Sequence, residues 1–409
     1  MADPAVSDLL RFGMRRMRPR DPREEGRSAS ALELFYDLIF VVAVSLASAQ
    51  LGQMGLSGKP GQGVVEYLLV FFAIWWAWMN FTWFASAFDT DDWPYRVLAL
   101  TQMAGVVVLA VGTTPAMRSG DFSLIIAGYV IMRLALCGQW LRASRSHPAF
   151  RKTALRYVTG ILIVQPLWVL YPLTPQGFKI PVFVLLALCE LAVPVFAESA
   201  RQTPWNPNHI ADRYGSFTLI VLGESVLAST TAIANALGEA EHVGGLVLLG
   251  AGGFVIAAGM WWVYFATDVI DQLGVVKTAL PFGYGHYLVF ASAGAFSAGI
   301  AVLIGLEDGT GKLGAVASAA TLTVPVALFV LGVWALILRH RLHGVRRVLV
   351  PIGAVALAAT ALLPHAVVFA AMVMVALVIV VESSCLGQRV AGDTLHPEDE
   401  CIGPVSHPA

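Results

Sequence analysis

Glu33 and Asp37 stand four residues apart in an otherwise apolar run, so on a helix both carboxylates share one stripe. Two ionised carboxylates that close repel. One must hold a proton, or a cation must sit between them, or a basic side chain must approach. Arg133, deep in another apolar run, is the basic partner expected. A second group comprises His209, Asp212, Arg213 and Glu224. At 100° per residue, His209, Arg213 and Glu224 fall within about 60° of one another, one stripe about three turns long. Glu224 lies inside Val221-Leu222-Gly223-Glu224-Ser225-Val226, where a carboxyl can hold or pass a proton, and Gly223 is expected to admit a close neighbouring helix. His286 is its expected partner, because imidazole exchanges protons near neutrality. The chemistry implied is a relay or pathway for protons or cations. Each group also has a quieter reading: Glu33 paired and inert near the membrane interface, Glu224 neutral and bonded to backbone.

These side chains are unusual because of what surrounds them. The chain has 409 residues, 57% hydrophobic and 13% charged, with a mean hydropathy of +0.72. Soluble domains carry about twice that charge fraction. A charged side chain at mid-bilayer costs roughly 2.5–3.5 kcal/mol on insertion scales, so each one retained needs a partner or a wet cavity. Spanning runs of about 20 residues are predicted at 31–50, 64–87, 95–116, 122–142, 153–172 and 180–197. A second set falls at 208–235, 244–267, 280–305, 315–338, 347–362 and 365–384, the last two parted only by Leu363, Pro364 and His365. The fold expected is an all-α, polytopic transmembrane bundle of about 12 spans.

Basic residues fix the orientation. With the N-terminus inside, the inner segments hold seven N-terminal arginines, Arg96, Arg142, Arg145, Arg151, Lys152, Arg156, Arg201, Arg213, Lys277, Arg339, Arg341, Arg346, Arg347 and Arg389. The outer loops hold only Lys59, Arg118, Lys179 and Lys312. That bias places both termini in the cytoplasm and the protein in the inner or plasma membrane. Residues 1–30 lack the apolar core of a signal peptide; they read as a basic cytoplasmic arm, lying on anionic lipid or without fixed structure. Residues 386–409 read as a disordered cytoplasmic tail.

The two sets of six spans look related. Glu33 through Phe40 overlays Asp212 through Leu219; Ser45 and Ser48 match Ser225 and Ser229; Trp83-Phe84-Ala85-Ser86 matches Tyr264-Phe265-Ala266-Thr267, with acidic residues after both. An even number of helices per unit gives two parallel six-helix repeats, 31–200 and 201–385, with a pathway between them. Of the tryptophans, some fit interfacial belts and those in mid-helix are expected to pack against neighbours. Glu66, Asn80, Gln102, Gln139, Gln165, Glu190 and Glu198 are expected as helix–helix hydrogen-bonding contacts.

Several classes are excluded. There is no GxxxxGK[ST] phosphate loop, no HExxH, no GxSxG and no TVGYG filter. The four cysteines form no CxxC and stand at no ligand spacing from a histidine, so neither a metal nor a cofactor is expected. A net charge of -1 at pI ≈ 6.8 points to no nucleic-acid partner. The partners expected are the lipid bilayer and a small ion or solute, with a homo-oligomer left open.

In Leu32 through Val41, His209 through Gly215, Leu222-Gly223-Glu224-Ser225, and His286 within Tyr284 through Leu288, the sequence resembles the bacterial low temperature requirement A family. The likeness covers about residues 25–385. It implies a multi-pass membrane protein of a family known from a cold-growth association, without an established biochemical activity. Asp212 stands where the family pattern has glutamate. The first-helix run is also similar to the Phe-Ser-Asp motif of endolysosomal potassium/proton leak channels, built of six-helix repeats; here Tyr36 replaces the serine, and Ser216 stands at the second-half aspartate position.

The function expected is therefore a channel or secondary transporter for a small ion or solute, with proton or cation coupling. The alternative is a membrane-embedded enzyme acting on a lipid or lipid-soluble substrate; the absence of a nucleophile–base constellation weighs against it.

Overall fold

A computed structural model describes residues 13–24, 26–238, 243–267, 269–270, 273 and 276–395, apart from the side chains of 276, 277 and 384–395. Twelve helices among these residues are long and apolar enough to cross a membrane. They are α1 (Ala31–Leu56), α2 (Pro60–Phe88), α3 (Trp93–Ser119), α4 (Ser123–Ser146), α5 (Arg151–Leu170) and α6 (Lys179–Glu198), followed by α7 (Pro207–Leu237), α8 (Val243–Phe265), α9 (Val276–Glu307), α10 (Ala315–Leu336), α11 (Val345–Ala359) and α12 (Ala366–Leu395). The protein is an all-helical, multi-pass membrane protein. The last two spans are separate helices: α11 runs into a short 3-10 turn over Thr360–Leu362, and His365 takes a positive φ of 53° before α12 begins.

Local sequence explains the helix starts. Ser30 closes a capping box on α1: its hydroxyl accepts from Glu33 N, and Glu33 Oε2 accepts from Ser30 N at 2.8 Å. Asp92 caps α3 through Tyr95 N and Asn206 caps α7 through His209 N. Pro60 and Pro207 occupy the first positions of α2 and α7, where no amide donor is needed.

The faces of α1 reveal the solvent. Phe35, Leu38, Val42 and Leu46 are 47%, 50%, 48% and 38% exposed along one side. Glu33, Tyr36, Asp37, Phe40 and Ser48 are buried on the other. Such an inverted surface suits lipid. Between helices lipid supplies no hydrophobic drive, so packing and polar contacts must hold them. The most extensive pairs are α3 with α4 and α9 with α10, and both rest on glycine. A Cβ on Gly128 would meet Gly105 O at 2.4 Å; one on Gly299 would meet Leu322 Cα at 2.6 Å. Neighbours recur at a step of six helices: α1 packs on α2 and α3 as α7 does on α8 and α9, and the α4–α5 and α5–α6 contacts recur as α10–α11 and α11–α12. Helix α9 is the most enclosed span and also packs on α1.

Three sequence-based expectations differ from the structure. Part of the N-terminal arm is built into the bundle: Met17 is 1% exposed, Arg20 N donates to Ala87 O, and Arg27 donates to Ser86 O at 2.6 Å and Ala85 O at 3.0 Å. The reason is chemical: Ser86 O and Ala87 O at the end of α2 lack intrahelical donors, and the Arg27 guanidinium and the Arg20 amide supply them, while Ala85 O accepts Arg27 beside Asp89 N. Residues 1–12 lie outside the described residues. The tail begins later than expected, because α12 stays helical to Leu395, with no proline between Pro364 and Pro397 to stop it; residues 396–409 lie outside the described residues, as do Asp268 and Asp271 of the proposed repeat. Gly223 admits no neighbouring helix, since a Cβ there would meet nothing within 4 Å. The tryptophans behave as expected: mid-helix Trp75, Trp76 and Trp78 are buried, and Trp261 and Trp262, near the end of α8, are 45% and 43% exposed as interfacial side chains would be.

The two glycine environments give a paired test. G128A forces α3 and α4 apart and is expected to cost about 1–3 kcal/mol, whereas G223A is expected to be neutral or to gain up to about 1 kcal/mol in helix propensity. Thermal unfolding of both variants in detergent micelles measures the contrast.

Candidate functional site

Helices α1 and α7 both start on the same side of the bundle. Glu33 and His209 are each two positions beyond the first helical residue, and Asp37 and Arg213 are each six beyond it. The four side chains therefore meet in two rungs at matched depth. Glu33 Oε1 lies 3.0 Å from His209 Nε2 and 3.0 Å from Arg213 Nη1. Arg213 Nη2 donates to Asp37 Oδ1 at 2.5 Å, and Trp78 Nε1 donates to the same oxygen at 2.7 Å. The guanidinium carbon is 5.9 Å from the centre of the Trp78 ring, a cation–π contact. All four ionisable side chains are at most 1% exposed.

Charge in this cluster is not balanced by contact partners alone. Two carboxylates face one guanidinium. His209 Nε2 must carry hydrogen to favour Glu33, which leaves Nδ1 as the position whose protonation sets the net charge. Asp37 Oδ2, Arg213 Nε and His209 Nδ1 are buried without a hydrogen-bond partner among the described residues. Arg27, held by the α2 carbonyls, makes no ion pair within 4.0 Å of Glu33. Burial pulls the Arg27 guanidinium below its ordinary value, and burial raises the Asp89 carboxyl at the same mouth.

Residues 13–24 and 26–30 pack over this end of the two helices. Asp212 is turned outward to this segment, accepting Ala29 N on Oδ2 at 2.6 Å. Asn206 Nδ2 donates to Glu24 O at 2.8 Å, and Asp92 Oδ2 accepts both Arg15 N and Arg142 Nη2.

Arg133 is not the partner of Glu33 and Asp37. Its Nη2 pairs with Glu190 Oε2 at 2.6 Å, both side chains at most 1% exposed. Trp76 Nε1 and Gln165 Nε2 complete the Glu190 hydrogen bonds at 3.0 and 2.9 Å. Depth explains the difference: Arg133 is 13 residues from the C-terminal end of α4, the end on the side where α1 begins, roughly 20 Å, whereas Asp37 is six residues into α1, roughly 9 Å. Glu190, expected as a hydrogen-bonding contact, is an ion-pair member. Gln102 and Gln139 do form the expected interhelical contact at 3.0 Å, with Tyr36 donating to Gln102 at 3.1 Å.

Glu224 and His286 do not meet either. Glu224 Oε1 accepts the Ser45 hydroxyl across the same α1–α7 seam, while its Oε2 is buried without a partner. His286 Nδ1 lies 2.7 Å from Phe282 O, so Nδ1 carries hydrogen; Tyr264 Oη then donates to Nε2 at 2.9 Å in the neutral ring. Tyr214, Phe282 and Phe290 surround that ring. The two residues differ by about 10 Å in depth, being 17 positions into α7 and 10 into α9. A cleft of about 440 Å³ lies elsewhere, lined by Leu248, Leu303, Leu306 and Glu307 near the α11–α12 turn.

The Arg133–Glu190 pair tests whether buried charge here is structural. R133M alone leaves a buried carboxylate unpaired and is expected to cost about 3–5 kcal/mol; R133M/E190M removes both charges and is expected to recover most of it. Equal thermal unfolding of the single and double variants in micelles would show the pair to be uncoupled.

A family model for the bacterial low temperature requirement A protein (LtrA) matches residues 28–382. The chain is also 28% identical over 284 residues to an uncharacterized protein, RA0937, of Rhizobium meliloti (strain 1021), an alignment covering 65% of this chain and 67% of that protein. Both strands of the α1–α7 network, Glu33 and Asp37 on one side and His209 and Arg213 on the other, fall within the matched region, and the chain belongs to the bacterial low temperature requirement A family.

Proposed function

We propose that this protein is a secondary transporter or channel for a small ion or solute, with the Glu33–His209–Arg213–Asp37 network as its proton-sensitive element. One observation carries the reading: the network joins the first helix of each half through Arg213, at 2.5 Å to Asp37 and 3.0 Å to Glu33, inside a membrane protein. A buried ion pair needs one acid and one base. This one has a second acid and a histidine, so a proton can move on or off without any group leaving its place.

The consequence is mechanical. Protonating Asp37 or Glu33 discharges part of the attraction that holds Arg213. Helices α1 and α7 then keep the other carboxylate on Arg213, their packing and the Ser45–Glu224 contact, a weaker seam than before. The seam can open while the neighbours of each helix stay in place. The recurrence of contacts at a step of six supports treating 31–200 and 201–385 as parallel repeats that move against each other. Basic residues at the inner loops support a plasma-membrane orientation with both termini cytoplasmic.

The test is flux in reconstituted vesicles loaded with a pH-sensitive dye, under imposed gradients of protons and of alkali cations. Wild type is expected to dissipate at least one gradient faster than empty vesicles, and D37N and E224Q to lose most of that rate. If neither substitution alters any flux, the transport reading fails. A changed lipid profile in a deletion strain, with no change in flux, would favour the enzyme alternative instead.

A further inference from the structure

A separate cleft lies between α2, α4, α5, α6 and the segment leading into α7, with Ala279 and Leu280 of α9 closing one side. Its walls are aromatic: Trp76, Trp83, Trp140, Tyr157 and Trp205 all line it. Trp140 and Tyr157 are stacked with centroids 4.1 Å apart and planes 7° apart, and Trp83 meets Trp205 edge-on at 5.3 Å. Indole nitrogens are tied off, Trp76 to Glu190, Trp83 to Tyr214 Oη and Trp205 to Leu273 O. Trp140 and Tyr157 each cover one face of the other, so the rings are fixed in place and the sides they turn to the cleft are what is left for a ligand. About 40 Å³ is open to the centres of water-sized groups, several times the roughly 10–15 Å³ that one water needs.

The charged member of this cleft is Glu198. Its Oε1 accepts Tyr157 Oη at 2.8 Å and Thr203 Oγ1 at 2.9 Å, and its Oε2 accepts Thr203 N at 2.7 Å. Those donors fix the carboxylate without neutralising it. Among the described residues no basic nitrogen lies within 4.0 Å of it. The neighbouring cations are engaged elsewhere: Arg156 donates to Phe196 O and Ser199 Oγ, and Arg201 sits over the Phe150 ring. Glu198 is also the last residue of α6, where the helix dipole is negative and a carboxylate is unfavourable. Fixed aromatic faces and an unneutralised carboxylate at a negative helix end favour one ligand chemistry, a cation with an apolar surface.

We infer that this cleft is a binding site for a small alkylammonium ion, with Glu198 as counter-charge and Trp83, Trp140, Tyr157 and Trp205 as cation–π walls. Sodium or potassium would have to shed a tightly held hydration shell in a cleft that offers few oxygens. An alkylammonium head sheds little and gains contact with the rings. The inference does not depend on the transport reading, because binding is an equilibrium property of the cleft.

The experiment is titration of the purified full chain in detergent micelles with tetramethylammonium chloride, read by tryptophan fluorescence and by calorimetry. Sodium chloride serves as the ionic control and neopentyl alcohol as the uncharged one. A saturable response to tetramethylammonium alone is expected. E198Q is expected to weaken it about tenfold or more, while E198D stays within a few-fold of wild type, and W205L weakens it about tenfold. Thermal unfolding verifies that each variant is folded. An equal response to neopentyl alcohol, undiminished binding in folded E198Q or W205L, or no saturable response in wild type would each overturn the assignment.

Discussion

The guanidinium of Arg213 sits where neither water nor lipid can solvate it, and it is held by carboxylates that belong to another helix. In a bilayer that arrangement is a constraint on the whole bundle. Arg213 cannot be left without Asp37 and Glu33, and those acids cannot be left without Arg213, so α1 and α7 must lie side by side at matched depth. The Asp212 carboxylate turned to Ala29 N is part of the same juxtaposition, and the local caps at Ser30 and Asn206 start both helices at that level. Removing the charges from one side alone would leave the other stranded, which is why α1 and α7 are coupled here more tightly than packing would couple them.

The sequence carried much of this fold because the bilayer is a strict solvent. Twelve apolar runs come from one rule, that only helices with their backbone groups satisfied and their charged loops kept out of oil can cross. Polar side chains at depth were visible for the same reason. Their partners were less so, since pairing depends on which helices touch and at what level. Arg133 was expected on Glu33 and Asp37 and is instead on Glu190; His286 was expected on Glu224 and is held by Tyr264 and Phe282. One signal was available. Counting residues from each helix start places Glu33 with His209 and Asp37 with Arg213, and separates Glu224 from His286 by about 10 Å.

What the sequence did not disclose was assembled from distant segments. The aromatic cleft draws on five spans and a loop, and no periodicity connects Trp140, Tyr157 and Trp205. The packing of residues 13–30 was hidden because an arginine-rich arm has the composition of a solvated one; its fold depends on the open carbonyls at the end of α2, which are a property of structure. The two buried ion clusters also differ in kind. Arg133 and Glu190 match one base to one acid and are completed by Trp76 and Gln165, as a static contact would be. The α1–α7 cluster has an acid and an imidazole beyond that need.

Whether that surplus holds an exchangeable proton can be measured on the cluster itself. Infrared difference spectra across a pH step, recorded for wild type and E33Q/D37N in lipid, report carboxyl and imidazole protonation directly. An exchangeable proton at the seam predicts a titrating band in wild type that is missing from the double variant. Identical difference spectra for the two proteins would mean that the four groups are a fixed clamp with no proton to give or take.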